Sequence, residues 1–323
     1  MKILVVGNAG FIGGYLTKEL MDSGYEAVGM DINPPNPKEN SCHFVLGNIL
    51  NPEDIVRAAE NVDLIVHLAA KHSDFGISRE EFFNVNVKGT QNILDCAAKL
   101  GIKKFIFYST VAVYGSQEGY TTEDTTPYPI VTYGESKLAA EKTIYNWTAE
   151  DPGREAIIIR PTVVFGPGKK YGNMYNLIDS IYKKRFVFVG DGENIKSVAY
   201  VENLADATVF LLEKLKPGVE IYNYSDYPQM TIAQIVGDIA RYLSRGMPKI
   251  KIPLKPVMAA ARIFDLLGKL TGYNFPITAK RIKKFNTATY HKADKIRASG
   301  FQPLIDSSEG FKRTVKWYLN KGM

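Results

Sequence analysis

The chain has 323 residues, of which 45% are hydrophobic and 23% charged, with a formal net charge of +6. This composition can bury a large core, as one long domain or a domain plus a lobe, and it excludes a disordered protein. The lysines are spread along the chain rather than gathered in a basic arm, which favours small anionic ligands over nucleic acid. Only two cysteines occur, Cys42 and Cys96, a usage typical of a reducing compartment.

The first apolar run, Ile3 to Val6, predicts a strand that begins at once and leaves no room for a signal peptide. No apolar run approaches the roughly 20 residues needed to span a bilayer. The best candidate, Pro256 to Leu270, is interrupted by Arg262, Asp265 and Lys269. We therefore expect a cytoplasmic protein without stable membrane insertion.

Strand and helix patterns alternate through the first half of the chain. The predicted strands are Ile3 to Val6, Glu26 to Met30, His43 to Leu46, Leu64 to Leu68, Lys104 to Ser109 and Ala156 to Ile159. The predicted helices are Gly13 to Ser23, Pro52 to Glu60, Asn84 to Leu100 and Lys137 to Thr148. This alternation predicts an α/β fold with a Rossmann-type, doubly wound parallel sheet covered by helices on both faces.

After Gly166 the pattern becomes looser and richer in turns. A helix from Thr231 to Ser244 and a late strand from Glu220 to Tyr224 are still recognisable. We predict a cofactor-binding Rossmann domain over residues 1–166, with later strands near 195–225 interleaved into it. A smaller C-terminal lobe over residues 167–323 is predicted to be mainly substrate-binding.

Three glycines, Gly7, Gly10 and Gly13, lie between the first strand and the first helix. Glycines there let the backbone approach a pyrophosphate at the helix N-terminus, although a tight turn without a ligand gives the same bare pattern. Asp31, after the second strand, can accept hydrogen bonds from adenosine ribose hydroxyls and repels a 2′-phosphate. A solvated charge at a strand end is the alternative for Asp31. Because Ile32 to Pro34 supplies no arginine, the pattern predicts NAD rather than NADP.

Tyr133 and Lys137 are four residues apart, so on a helix they share one face. Tyrosine has an ordinary pKa of about 10, and an adjacent ammonium, with the positive nicotinamide ring nearby, would favour the phenolate and allow proton exchange with a sugar hydroxyl. Lys137 can also hydrogen-bond the nicotinamide ribose, and the Thr110 hydroxyl would hold the reacting oxygen. Chance Tyr-x-x-x-Lys pairs are common, but this one begins a helix after a long polar loop, where open α/β sheets place active-site groups.

Together these motifs resemble an extended short-chain dehydrogenase/reductase of the NAD-dependent nucleotide-sugar epimerase and dehydratase type. The resemblance covers nearly the whole chain and is specific as a set. The matching segments are Gly7 to Gly13, Asp31, His67 to Ala70, Asn86 to Thr90, Ser109 to Gly115, Tyr133 to Lys137, Arg160 to Thr162, Phe165 to Gly168, Gly190 to Asn203 and Lys295 to Phe301.

The resemblance implies NAD as cofactor, no metal, and Thr110, Tyr133 and Lys137 as catalytic residues. Asn48 and Ile49 would lie near the adenine; many relatives have aspartate where Asn48 stands, and asparagine can still donate and accept there. The other implied NAD contacts are Gly7, Gly10, Phe11, Ile12, Gly13, Asp31, Ile32, Leu68, Ala69, Ala70, Asn86, Ser109, Tyr133, Lys137 and Pro161.

Within the family, relatives that remove water carry an Asp-Glu pair directly after the catalytic threonine. Here Val111 and Ala112 stand there, and neither side chain can transfer a proton, so a dehydratase is disfavoured. We predict an epimerase that acts on a nucleotide-diphosphate sugar through a transient keto intermediate. An NAD(P)H-dependent keto-sugar reductase and a hydroxysteroid-type dehydrogenase remain alternatives, and a non-catalytic NAD sensor is disfavoured because Tyr133 and Lys137 are both present.

Substrate contacts are less well marked. Lys196 stands where nucleotide-sugar relatives place a diphosphate-binding arginine; it keeps the charge but lacks the bidentate fork. Asn173 and Asn176 either bind substrate or cap a helix. The basic segment from Lys249 to Lys284 either rests on a membrane surface or packs on the lobe's own core. The resemblance also implies a homodimer.

Overall fold

The computed structural model of the chain describes residues 1–35, 42–72, 76–117, 119–170, 172–259, 261–262 and 289–320. The chain folds into two compact units. The first comprises Met1–Val164, Ala199–Ser225 and His291–Ile305, and the second comprises Phe165–Val198, Asp226–Tyr290 and Asp306–Met323. Which unit binds cofactor and which binds substrate stays a prediction.

A seven-stranded parallel sheet forms the centre of the first unit, in the order β7-β6-β5-β4-β1-β2-β3. The strands are β1 (Lys2–Val6), β2 (Glu26–Asp31), β3 (His43–Leu46), β4 (Leu64–His67), β5 (Lys104–Tyr108), β6 (Glu155–Pro161) and β7 (Gly218–Tyr224). Strand order reverses between β1 and β4, which is where open α/β sheets bind ligands. The predicted Rossmann-type fold is confirmed.

Both faces of this sheet are buried. Side chains alternate across a strand, so Ile3 and Val5 of β1 join one hydrophobic cluster while Leu4 and Val6 join the other. Helices cover both clusters, which is why the strands show continuous apolar runs rather than an alternation of apolar and polar residues.

Residues 254–259 and 261–262 are helical, and ten further α-helices lie in the described ranges. They are α1 (Phe11–Asp22), α2 (Pro52–Ala58), α3 (Arg79–Phe83), α4 (Gly89–Lys99), α5 (Thr132–Glu150), α6 (Asn173–Tyr182), α7 (Val201–Leu212), α8 (Ile232–Tyr242), α9 (Asp294–Ala298) and α10 (Ser307–Asn320). A π-helical turn, Asn84–Lys88, links α3 to α4, and a 3₁₀ helix covers Val111–Tyr114.

Two predicted helix boundaries are wrong. The helix expected from Asn84 to Leu100 is α3, the π-helical turn and α4, and it begins earlier because the Ser78 side chain caps α3 by accepting the Glu81 N–H. The helix expected from Lys137 begins at Thr132, because a polar first turn carries no apolar periodicity to reveal it. A Cβ at Gly134 would lie 2.5 Å from the Ala112 carbonyl oxygen, so this turn packs against the 3₁₀ helix.

The second unit contains α6, α8 and α10 with short strand pairs. Ile195–Lys196 pairs antiparallel with Met230–Thr231, and Phe188–Val189 pairs parallel with Lys251–Ile252. Thr231 and Gln234 form a capping box that starts α8. None of the helices in the described part of the chain has the length and apolarity to cross a membrane. Of the apolar run from Pro256 to Leu270, residues 260 and 263–270 lie outside the described residues.

Candidate active site

The predicted cofactor residues follow the carboxyl ends of neighbouring parallel strands. Gly7 follows β1, Leu68 follows β4 and Ser109 follows β5, while Asp31 ends β2 and Pro161 ends β6. Parallel strands bring these ends to one edge of the sheet, so residues far apart in sequence share one ligand-binding edge.

The turn after β1 requires glycine by its geometry. Gly7 has φ +93°, and a Cβ there would lie 2.7 Å from the Ala69 nitrogen. A Cβ at Gly13 would lie 2.6 Å from the Cα of Asn8. Gly10 is the N-cap of α1, so no side chain caps this helix, whose first residues are Phe11 and Ile12. A closely approached backbone at an uncapped helix N-terminus fits a pyrophosphate group.

At the end of β2, the half-buried Asp31 accepts the Asn33 N–H at 3.1 Å through Oδ1. Ile32 is 60% exposed beside it. Further along, Asn48 is exposed and its Oδ1 accepts the Leu50 N–H at 2.9 Å, whereas Ile49 is buried. The side-chain oxygen of Asn48 therefore stabilises its own loop, and its contact with the adenine stays a prediction.

Asn86 connects two segments of the fold, a role that was not predicted from the sequence. It is buried in the π-helical turn, its Oδ1 accepts the Lys71 N–H at 2.8 Å, and its Nδ2 donates to Lys71 O at 3.0 Å and to Ser136 Oγ at 2.9 Å. These bonds join the loop after β4, which carries Leu68, Ala69 and Ala70, to helix α5. The three loop residues are half-buried, and their contacts with NAD stay predictions.

Thr110 and Tyr133 are brought together as the sequence proposed. The Thr110 hydroxyl oxygen accepts the Ala112 N–H at 3.1 Å, and its side chain is hydrogen-bonded to the Tyr133 hydroxyl. Burial raises the pKa of Tyr133 to about 12, and the bond to Thr110 only partly counters this. The charge of Lys137 is not among the causes of this shift, so the expectation that its ammonium and the nicotinamide ring together favour the phenolate stays a prediction for the NAD-bound protein. Tyr133 carries its proton at neutral pH.

Lys137 is almost completely buried, and its Nζ lies 3.8 Å from the centroid of the Phe107 ring. Burial lowers its pKa to about 7, while the charge of Glu141 acts in the opposite direction. A cation without water is costly, and the face of an aromatic ring offsets only part of that cost. Lys137 is thus poised to change charge near neutral pH.

His67, the last residue of β4, is a buried neighbour of Lys137 that belongs to a matching segment but had no role assigned from the sequence. Its Nε2 lies 3.1 Å from Thr90 Oγ1, and its Nδ1 has no hydrogen-bond partner among the described residues. Burial, and then the charge of Lys137, hold its pKa well below the ordinary value, so the imidazole is neutral.

A buried ion pair lies behind Lys137 and was also missed. Arg160 Nε donates to Glu141 Oε1 at 2.9 Å and Arg160 Nη2 donates to Glu141 Oε2 at 2.6 Å. Ser109 Oγ donates to Glu141 Oε1 at 2.5 Å, so the predicted NAD contact from Ser109 would not come from a free hydroxyl. The sequence spacing could have indicated Glu141, because it lies four residues after Lys137 and therefore on the same helix face.

The buried network continues beyond Arg160. Arg160 Nη1 donates to the Tyr114 hydroxyl at 2.9 Å, which in turn donates to Asn223 Oδ1 at 2.7 Å. The residues come from β6, β7, α5 and the 3₁₀ helix, so the network fixes α5 against the sheet. A fully paired network of this kind is rigid because each unpaired member would be costly in the low-dielectric interior.

The proposed substrate residues of the second unit differ in setting. Asn173 is the exposed first residue of α6, and the N-cap is Gly172 with φ +95° and no side-chain cap. The alternative that Asn173 caps the helix through its side chain is therefore not observed. Lys196 lies half-buried in the strand Ile195–Lys196. Their contacts with substrate stay predictions.

Comparison with known proteins identifies the family of the chain. The model of the NAD dependent epimerase/dehydratase family matches residues 3–224. The N-acetyl-alpha-D-glucosaminyl-diphospho-ditrans,octacis-undecaprenol 4-epimerase of Escherichia coli O157:H7 is 34% identical over 98% of this chain and 95% of its own length. The UDP-glucose 4-epimerase of Vibrio cholerae is 28% identical over 98% of this chain and 95% of its own.

Among solved structures, the UDP-glucuronic acid 4-epimerase of Bacillus cereus in complex with NAD is similar with a TM-score of 0.79 at 24% identity, covering 100% of both chains. MoeE5 in complex with UDP-glucuronic acid and NAD gives 0.79 at 22% identity, covering 99% of this chain and 100% of that one. These likenesses establish the fold. The family match confirms the resemblance read from the sequence, including its dependence on NAD.

Proposed function

This chain is a member of the NAD dependent epimerase/dehydratase family, and we propose that it inverts carbon 4 of a sugar carried on a diphosphate. The observation that carries the proposal is the cluster of Thr110, Tyr133 and Lys137 at the carboxyl edge of a sheet whose first turn fits a pyrophosphate. Support for carbon 4 comes from the two curated relatives, both 4-epimerases.

The residues have separate tasks in this proposal. NAD, when bound, would supply a hydride acceptor and a positive charge that favours the phenolate. Tyr133 exchanges a proton with the sugar hydroxyl through its own hydroxyl, and Thr110 orients that hydroxyl. Lys137 supplies a positive charge close to the reacting atoms, and Glu141 favours its charged form. The buried network behind Lys137 holds α5 in register with the sheet.

The predicted substrate is a nucleotide-diphosphate sugar, the class named for the Vibrio cholerae relative. A second candidate is a sugar diphosphate carried on a polyprenol. It is favoured by the 34% identity, over almost the whole chain, to an enzyme that acts on an undecaprenol-linked sugar. Both candidates present the same hexosyl diphosphate to the site, so the proposed chemistry is common to them.

The oligomeric state and the cellular location are also proposals. We propose a homodimer, from the family resemblance, and a cytoplasmic location, from a sequence with only two cysteines. Light scattering during size-exclusion chromatography gives the mass in solution directly, and a mass near the 36.0 kDa of one chain would contradict the dimer.

The test begins by denaturing the purified protein and identifying any released nicotinamide nucleotide by chromatography. The protein is then incubated with UDP-glucose, UDP-N-acetylglucosamine or polyprenyl-diphospho-N-acetylglucosamine, and the sugar is released and analysed for its carbon-4 epimer. An epimerase interconverts the sugars without net consumption of NADH. Consumption of one reduced nicotinamide per product would instead establish the ketoreductase.

The matched variant for this assay is Tyr133→Phe, which removes one hydroxyl. We expect turnover to fall at least a thousandfold while NAD binding is retained, because the ring still packs in place and only the proton-exchanging group is lost. Unchanged turnover in this variant would overturn the roles assigned to Tyr133 and Thr110.

A further inference from the structure

The second unit exposes a segment that is both apolar and basic. Residues 245–255 read Arg-Gly-Met-Pro-Lys-Ile-Lys-Ile-Pro-Leu-Lys, and we refer to them as the basic strip. Its large apolar side chains are exposed, Met247 by 43%, Ile250 by 61%, Ile252 by 36% and Leu254 by 39%. Isolated exposed apolar residues are ordinary, but four within eight positions form a patch of the kind that marks an interaction surface.

The conformation of the basic strip is set by a neighbouring strand of the same unit. Phe188 N–H donates to Ile250 O at 2.9 Å, Gly190 N–H donates to Ile252 O at 2.9 Å, and Lys251 Nζ donates to Asp191 O at 3.0 Å. Because side chains alternate across a strand, Lys251 points back over its partner strand while Ile250 and Ile252 face the other way. The exposed isoleucines therefore belong to an anchored backbone.

Every charged side chain of the basic strip itself is positive, while Asp191 and Glu193 follow its partner strand Phe188–Val189. The sequence contains no acidic residue between Asp238 and Asp265, and the basic strip alone carries Arg245 and three lysines. A second copy of the chain packed through the same patch would set like charges against each other, since a two-fold interface opposes a surface to itself. The surface that complements both properties is a bilayer with anionic headgroups, into which apolar side chains insert while lysines contact the lipid phosphates.

We propose that the basic strip docks the protein on the surface of an anionic membrane. The purpose of this docking rests on the proposed function, because a polyprenyl-diphospho sugar lies in such a membrane. The docking itself requires no turnover. The bound state is peripheral, with Ile250, Ile252 and Leu254 entering the interface and Lys249 and Lys255 lying at the headgroups.

The test is co-sedimentation of the full chain with vesicles of phosphatidylcholine containing 30% phosphatidylglycerol, compared with phosphatidylcholine alone. A lysine near an anionic surface strengthens binding about fivefold, so Lys249→Glu with Lys255→Glu is expected to weaken binding at least 25-fold. The charge-matched control is Lys184→Glu with Lys316→Glu, both exposed in the same unit, and it should remain within about twofold of the native protein.

A second pair of variants tests the apolar part. Ile250→Ser with Leu254→Ser is expected to weaken vesicle binding at least tenfold, because partial insertion of two such side chains is lost. Its control is Leu304→Ser with Leu319→Ser, which are 86% and 44% exposed and lie outside the basic strip. Raising the salt concentration should weaken binding of the native protein, since exposed charges are screened.

Failure of this inference and failure of the proposed function give different results. Vesicle binding is measured without sugar, and carbon-4 epimerisation is measured without vesicles on a soluble sugar diphosphate. Native-like vesicle binding by both strip variants, or no binding by the native protein, would overturn the docking surface and leave the epimerase untouched. Sensitivity to the lysine changes alone, with retention of a DNA or RNA oligonucleotide, would assign the basic strip to nucleic acid instead.

Discussion

Replacing Lys137 by methionine should stabilise the protein while abolishing its activity. The side chain keeps its length and its packing on the Phe107 ring, but the buried charge is removed. Burial lowers the pKa of Lys137 from an ordinary value of 10.5 to about 7, so keeping the charged form in the folded state costs roughly 5 kcal/mol.

The pH dependence makes this prediction specific. Between about pH 7 and 10.5 the unfolded chain holds the Lys137 proton and the folded chain does not, so the native protein gains stability as the pH rises through that window. Below pH 7 the lysine is charged in both states and the full cost is present. The advantage of the variant should therefore be constant well below pH 7 and shrink by about 2 kcal/mol from pH 7 to pH 9.

Urea unfolding at pH 6, 7, 8 and 9, followed by circular dichroism, measures this difference. The control is Lys142→Met, an exposed lysine of the same helix, whose difference from the native protein should not follow this profile. An advantage of Lys137→Met that did not change across the series, or a destabilisation at pH 6, would show that Lys137 titrates elsewhere and would refute the reasoning from burial.

Three further predictions concern the cofactor turn and the buried ion pair. Glu141→Gln leaves Arg160 buried beside a neutral partner and should lower the free energy of unfolding by about 3–5 kcal/mol at pH 7, measured in urea; a loss below about 1 kcal/mol would contradict a desolvated pair. Gly13→Ala places a Cβ against backbone atoms and should weaken NAD binding at least tenfold, as measured by calorimetry. The control Gly14→Ala, whose Cβ would have its nearest atom 3.9 Å away, should bind NAD normally. Equal NAD affinities of the two variants would reject the steric argument. Asp31→Ser removes the carboxylate that disfavours a 2′-phosphate, so the ratio of NAD to NADP affinity should fall at least tenfold, and an unchanged ratio would mean that Asp31 does not select the cofactor.

Much of the fold could be predicted because its signals are local. Within a few residues, the apolar runs of β1, β4 and β5 indicate buried strands, and the glycines after β1 indicate a turn without room for a Cβ. The predicted start of α5 was wrong because its cause is not local. The first turn of α5 is polar and contains Gly134, and its helical state depends on packing against Ala112 from a different segment.

The sequence by itself determined the parallel, doubly wound class of the sheet, the family and the chemical identity of the groups at its carboxyl edge, because strand periodicity and motif spacing are properties of neighbouring residues. Tertiary structure decided their protonation. Lys137 and the nicotinamide ring were expected to favour the Tyr133 phenolate; in the protein alone, burial raises the pKa of Tyr133 to about 12 and lowers that of Lys137 to about 7. Both shifts arise from desolvation; Thr110 opposes the shift of Tyr133 and the charge of Glu141 opposes that of Lys137, and Glu141 in turn is held by Arg160 from β6. Which charges lose their water, and which partners replace it, is settled only when distant segments pack.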